Sequence, residues 1–154
     1  MKYKEKVQKK ITLLIIFISL FSFILLPEQD EVSNIRGKIV ELAKSLTGIR
    51  YKYGGLDIDG FDCSGLVHYV YNCFGIELPH SSKTLSKLRD KVNLSEIKPA
   101  DILIFKLGRR WHSALYIADD LFIHAPSRGE KVRTEGLNEY WKKRFKCALR
   151  ILPE

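Results

Sequence analysis

The stretch Gly60-Phe61-Asp62-Cys63-Ser64-Gly65-Leu66-Val67-His68-Tyr69-Val70 decides how the rest of the chain is read. Leu66, Val67 and Val70 recur at helical spacing behind a Gly-Phe-Asp break, which predicts a helix that starts at Cys63 and runs to about Asn72. A cysteine in the first helical turn faces unpaired backbone N–H groups and the positive end of the peptide dipoles. Such a place favours the thiolate over the thiol, and the thiolate is the nucleophile. Free cysteine is otherwise most often a small buried apolar side chain, so Cys63 acquires a chemical meaning only if the fold brings it an imidazole.

Upstream, Ser33 is a helix-capping type, and Ile35, Ile39, Leu42, Ala43 and Leu46 follow it at helical spacing up to Gly48. Ile49 to Gly55 then reads as an extended arm ending in a double-glycine turn. Downstream, Gly75 to His80 reads as a crossing connection, and Ser81 or Ser82 caps a short helix reaching Leu88. Residues 102–105, 111–118 and 121–125 are β-rich runs joined by short polar loops, and a last strand is expected at about 145–152. Helices first and strands afterwards predict an α+β domain over residues 33–154, with helices packed on one antiparallel sheet.

Residues 1–26 differ from the rest. Five lysines precede sixteen uncharged residues, Ile11 to Leu26. Sixteen helical residues reach about 24 Å, against a bilayer core of about 30 Å, which fits a signal-peptide core. No small-x-small pair lies between Ser19 and Ser33 and no cysteine precedes Cys63, so cleavage and lipid attachment lack their residues. The segment is therefore expected to be an uncleaved N-terminal hydrophobic helix that anchors the chain. Its lysines stay in the cytoplasm, a linker covers 27–32, and the domain lies outside.

The 154-residue chain has a formal charge of +8, of which residues 1–26 supply half; the remainder holds 21 basic and 17 acidic side chains. That balance, without a basic helix or an aromatic-interleaved basic run, excludes a nucleic-acid footprint. The three cysteines, 63, 73 and 147, form no C-x-x-C pair and no zinc spacing, so neither a metal site, a cofactor nor a disulfide framework is expected.

Four histidines are available as partners for Cys63. His68, on the same helix, is turned about 140° from Cys63. His80 lies in a Pro-Ser loop and lines a groove at most. His112 and His124 fall on two strands of one expected hairpin, where a sheet holds side chains rigidly. They act together only if they share a face, and side chains alternate with period two. A two-residue turn at Asp119-Asp120 alone places them on opposite faces. A three-residue turn or an odd bulge is therefore expected, with Ala114 and Ala118 on the histidine face giving the Cys63 helix room to approach.

The blocks Arg50-Tyr51-x-Tyr53-Gly54-Gly55, Phe61-Asp62-Cys63-Ser64-Gly65-Leu66-Val67, Leu78-Pro79-His80-Ser81-Ser82, Pro99-Ala100-Asp101-Ile102-Leu103, His112 and Ile123-His124-Ala125-Pro126 occur in an order that closely resembles the NlpC-type bacterial cell-wall cysteine peptidases. The resemblance spans about residues 33–152 and implies a papain-like fold. It implies a Cys-His-His triad in which Cys63 attacks, His112 is general base and acid, and His124 orients His112. Tyr51 is implied to help hold the oxyanion, and Asp62 and Ser64 match positions near the substrate, although a helix cap and a first-turn hydroxyl explain them equally. Leu85 stands where relatives often carry glutamine, which affects the groove, and Ala100 where they often carry glycine. The implied substrate is the peptidoglycan stem peptide, cut at the γ-D-glutamyl bond to a diamino acid, on the far side of the membrane. A muramoyl-alanine amidase, an acyltransferase and a non-enzymatic wall-binding protein are the alternatives.

Overall fold

Asp62 caps the Cys63 helix in the computed structural model of the chain, which describes the backbone of residues 2–153 and the side chains of residues 10–17 and 30–153. Its carboxylate accepts the Gly65 N–H at 2.7 Å, and α2 (Cys63–Asn72) begins at the next residue. Leu66, Val67 and Val70 are buried on it beside Tyr71. Gly65 has no room for a side chain: a β-carbon there would lie 1.8 Å from the Gly55 carbonyl oxygen. The double-glycine turn and the start of α2 thus meet backbone to backbone.

The chain forms two compact units, one through Asn34 and one of Ile35–Pro153. Helix α1 (Lys2–Ser45) makes up the first and supplies the opening residues of the second. Residues 27–32, expected as a linker, and Ser33, expected as a cap, lie inside α1 instead. Glu28, Gln29 and Glu31 are good helix formers, and a nucleated helix propagates favourably through such residues. Among the described residues no helix is long and apolar enough to cross a membrane. The anchor expected at 11–26 runs past residue 17 into side chains outside the described set.

In the second unit Ile39, Ala43 and Leu46 are buried, and Gly48, at φ 90°, turns the chain out of the helix. A small ribbon of β1 (Leu56–Asp57) and β2 (Gly60–Phe61) precedes α2. After α2 come α3 (Ser82–Leu85), β3 (Lys91–Val92), β4 (Ile102–Leu107), β5 (Arg110–Ala118), β6 (Leu121–His124), β7 (Arg133–Gly136), α4 (Glu139–Lys142) and β8 (Phe145–Leu149). The six strands from β3 onward form one antiparallel sheet in the order β3-β8-β4-β5-β6-β7. Two departures from expectation are matters of length, α3 ending at Leu85 and β8 at Leu149. Strands β3 and β7 were not anticipated.

The β5–β6 hairpin resolves the parity question by the second of its two routes. Its turn is the two-residue Asp119-Asp120, both at positive φ (50° and 57°), so Ala118 pairs with Leu121. One step on, Tyr116 pairs with Phe122, which leaves Ile117 as a one-residue bulge. The bulge returns His112 and His124 to one face. That face is filled differently from expectation. Ala114 lies in a cluster with Leu103, Phe105, Tyr116, Phe122, Leu137 and Trp141 that contains no residue of α2. The indole of Trp141 on α4 belongs to the same buried cluster as Ala114.

Both substitutions against the family pattern find explanations here. Leu85 is fully buried and does not line the groove, so its effect is on the core. Ala100 sits at φ 70°, the left-handed region where a β-carbon costs about 1–2 kcal/mol and glycine costs least. Its carbonyl accepts the Tyr71 hydroxyl and its N–H donates to the Tyr116 carbonyl at 3.0 Å, which holds it there.

Candidate active site

Cys63, at the first residue of α2, opens into a cleft of about 520 Å³. Tyr51, Asp62, Ser64, His80, Ser82, Arg110, Trp111 and His112 line the same cleft. The arm before β1 delivers Tyr51, which bridges Phe61 in parallel. Burial, then the neighbouring Cys63 and Asp62, push the Tyr51 phenol up, so its hydroxyl stays protonated and able to donate.

Asp62 is saturated by its own surroundings. Besides the Gly65 N–H it accepts the Gly54 N–H at 3.0 Å and the Ser64 hydroxyl at 3.0 Å, and His80 Nε2 stands 3.1 Å from both carboxylate oxygens. The cap and first-turn explanations thus cover the Asp62–Gly65 and Ser64–Asp62 contacts, while Gly54 and His80 are further partners of the same carboxylate. Of the two candidate serines, Ser81 caps α3 by accepting the Thr84 N–H at 3.3 Å. Ser82 is left to face the thiol, with its Oγ 3.4 Å from Cys63 Sγ and 2.9 Å from Ser113 Oγ. His68 is elsewhere, its Nδ1 2.6 Å from the Leu78 carbonyl oxygen. All three cysteines are free.

His124 does not reach the cleft; it stands behind His112. His112 Nε2 and His124 Nδ1 are 2.8 Å apart, and the rings meet edge to face, with centroids 5.1 Å apart at 86°. Nε2 being engaged, Nδ1 is the ring nitrogen that His112 has left for the cleft. Trp141 stacks on His112 at 5.7 Å and stands edge-on to His124 at 5.4 Å, fixing both rings from the α4 side. Behind His124, its Nε2 lies 2.7 Å from Glu135 Oε2 on β7, although the pair is not aligned as a hydrogen bond. Trp141 and Glu135 had no place in the sequence reading, and Ser82 entered it only as a candidate cap and as the end of the Leu78–Ser82 block.

Both histidines are held neutral. Burial and then Arg110 push His112 down to about 4, against an opposing pull from Asp62. Burial, His112 and Arg133 push His124 down to about 3. A neutral imidazole is the form that accepts a proton. The same shifts make folding sensitive to acid. Folded values below the ordinary 6.5 mean that the unfolded chain binds more protons between 6.5 and the folded value. The resulting stability is complete above about pH 6.5 and falls towards pH 4 at about 1.4 kcal/mol per pH unit for each group. Urea unfolding of the wild type and of the double variant His112→Asn/His124→Gln, compared at each pH, is expected to converge as pH falls from 6.5 to 4. A difference independent of pH would contradict the buried neutral pair.

Residues 48–150 match the NlpC/P60 family. The chain belongs to that family. It is 34% identical over 133 residues to the murein DD-endopeptidase MepS/murein LD-carboxypeptidase of Escherichia coli strain K12, covering 80% of this chain and 70% of that protein. It is 37% identical over 131 residues to the gamma-DL-glutamyl hydrolase of Bacillus subtilis strain 168, covering 80% of this chain and 31% of that one. An NlpC/P60 family protein from Bacillus cereus superposes with a TM-score of 0.73 at 28% identity, over 77% of this chain and 40% of its own. The chain thus spans less than half the length of the last two. Its antiparallel sheet and the preceding Cys63 helix are the α+β, papain-like NlpC/P60 fold.

Proposed function

We propose that the chain is a peptidoglycan endopeptidase with a Cys63-His112-His124 triad. The observation that carries this reading is the 2.8 Å contact between His112 Nε2 and His124 Nδ1, which leaves His112 Nδ1 for the cleft that also holds Cys63. His112 takes the thiol proton at Nδ1, and the Cys63 sulfur attacks the scissile carbonyl carbon. The developing oxyanion is met by the Cys63 backbone N–H, which has no partner within its helix, and by the Tyr51 hydroxyl. The departing amine takes the proton back from His112. Water, deprotonated by the same ring, then cleaves the thioester and frees the acid and the thiol.

The substrate is the stem peptide, cut at the γ-D-glutamyl bond to the diamino acid. The names of the relatives support a peptide of the wall, and one of them, a gamma-DL-glutamyl hydrolase, supports this type of bond. The full chain incubated with purified peptidoglycan is expected to release fragments whose masses end at D-glutamate. Release of whole stem peptides would identify an amidase, and no release would overturn the enzyme reading.

Residues 11–26 anchor the domain on the outer side of the cytoplasmic membrane. The sixteen uncharged residues behind a lysine cluster support this, as does the exposure of Ile11, Leu13, Leu14, Ile15, Ile16 and Phe17 along α1. Cell fractionation is expected to find the full-length chain with the membranes. A soluble protein starting near residue 28 would refute the anchor.

A further inference from the structure

Two buried polar atoms, His124 Nε2 and Glu135 Oε2, lack an aligned hydrogen-bond partner among the described residues, and they lie 2.7 Å from each other. Buried polar groups in folded proteins are nearly always paired, and each of these atoms is the partner at hand for the other. Strand register brings them together. Phe122 pairs with Glu135 and His124 with Arg133, so all four side chains project from one face of the β6–β7 pair. Arg133 attends to the other carboxylate oxygen, with its Nη2 3.6 Å from Glu135 Oε1, and Oε2 is left for the ring.

We infer that Glu135 is a positioning residue that sets the protonation pattern of both histidines, an inference that rests on the triad reading of Cys63 and His112. A carboxylate only accepts, so the nitrogen of His124 that faces it, Nε2, carries the hydrogen. A neutral ring has one N–H, which leaves His124 Nδ1 bare and accepting. It therefore takes the Nε2–H of His112 across their 2.8 Å contact. His112, neutral in turn, is left with a bare Nδ1, the form in which it accepts the thiol proton. The opposite pattern aims the bare Nε2 of His124 at an anionic oxygen and puts the hydrogen of His112 on Nδ1, where it blocks the base. Once His112 has become an imidazolium, the carboxylate behind the second ring also offsets its charge.

The tautomers are read directly by long-range proton–nitrogen correlation spectra of the full chain labelled at histidine, at pH 7. In the wild type both His112 and His124 are expected as the Nε2–H form. Glu135→Ala is expected to leave His124 as a mixture of tautomers. It should also slow alkylation of Cys63 by iodoacetamide, followed site by site by mass spectrometry, about tenfold, the effect of roughly one pKa unit in the base. Glu135→Gln, whose amide oxygen still accepts but bears no charge, is expected to keep the wild-type tautomers and recover part of the rate. Glu135 is half-exposed on an edge strand, so both variants should fold, and their melting curves check it. Wild-type tautomers in Glu135→Ala, or alkylation of Cys63 within about twofold of the wild-type rate, overturn the inference. The endopeptidase reading is decided separately: a wild type with these tautomers that releases no peptide from peptidoglycan overturns that reading and not this one.

Discussion

Cys63→Ala is expected to abolish release of fragments from peptidoglycan, a loss on the order of 10⁴-fold or more, while the domain melts at its wild-type temperature. The stability half follows from the local contacts. The helix start is held by the Asp62 carboxylate and by the close approach of Gly55 to Gly65, and the Cys63 side chain takes part in neither. The half-buried sulfur has the Ser82 hydroxyl at 3.4 Å, and because a thiol is a weak donor and acceptor the loss of that contact is small. The activity half follows because the cleft offers His112 no other thiol. Cys73 is exposed on the far end of α2, and Cys147 is buried with its thiol pushed up by that burial. Cys63→Ser should be equally inactive, since the alcohol keeps its proton far more tightly than a thiol against a base held low by burial. The measurement is fragment release by mass spectrometry, with alkylation rates resolved by site. Hydrolysis by Cys63→Ala, or equal alkylation of Cys63 and Cys73, would end the nucleophile assignment.

The parts of this site legible in the sequence are those encoded by local periodicity. Leu66, Val67 and Val70 fix the helix and hence the exposure of Cys63, because a helix face can be read from residues three and four apart. The histidine face was legible as a parity condition, although the bulge at Ile117 that satisfies it has no residue signature. Strand β7 was illegible for a physical reason. Arg133-Thr134-Glu135-Gly136 is an edge strand with polar side chains on both faces, so the apolar alternation that marks a half-buried strand is absent. With β7 unseen, Glu135 had no way to reach His124. The turn residues Pro126, Ser127 and Gly129, followed by Val132, were the available hint of a returning strand. Trp141 was missed differently: it sits in a four-residue helix, too short for periodicity, and its contact with the two imidazoles exists only in the packed fold.

Removing Asp101 is expected to produce the largest loss of stability, about 3–5 kcal/mol for Asp101→Ala, because it breaks a buried ion network from one side only. Asp101, 1% exposed, precedes β4 and meets two guanidinium groups. Arg36 from α1 donates to its Oδ1 at 3.2 Å, and Arg150, just after β8, donates to its Oδ2 at 2.9 Å. The Lys98 N–H donates to the same Oδ2 at 2.8 Å. Arg36 also donates to the carbonyls of Pro99, Leu152 and Pro153, so this one carboxylate ties α1, the loop before β4 and the end of the chain. Without it, two cations remain close together with carbonyl oxygens in place of a counter-charge, and the part-buried Lys98 N–H loses its acceptor. Those carbonyls soften the loss, which places Asp101→Asn, still able to accept the Lys98 N–H, below Asp101→Ala. Asp101 does not line the cleft, so activity per folded molecule should be unchanged at low temperature. For a domain of this size the expected fall in melting temperature is roughly 10 °C or more. Thermal and urea unfolding of the two variants test it. A loss below about 1 kcal/mol in Asp101→Ala would mean that the arginines are held by the carbonyls alone and that the carboxylate contributes no more than a surface pair does.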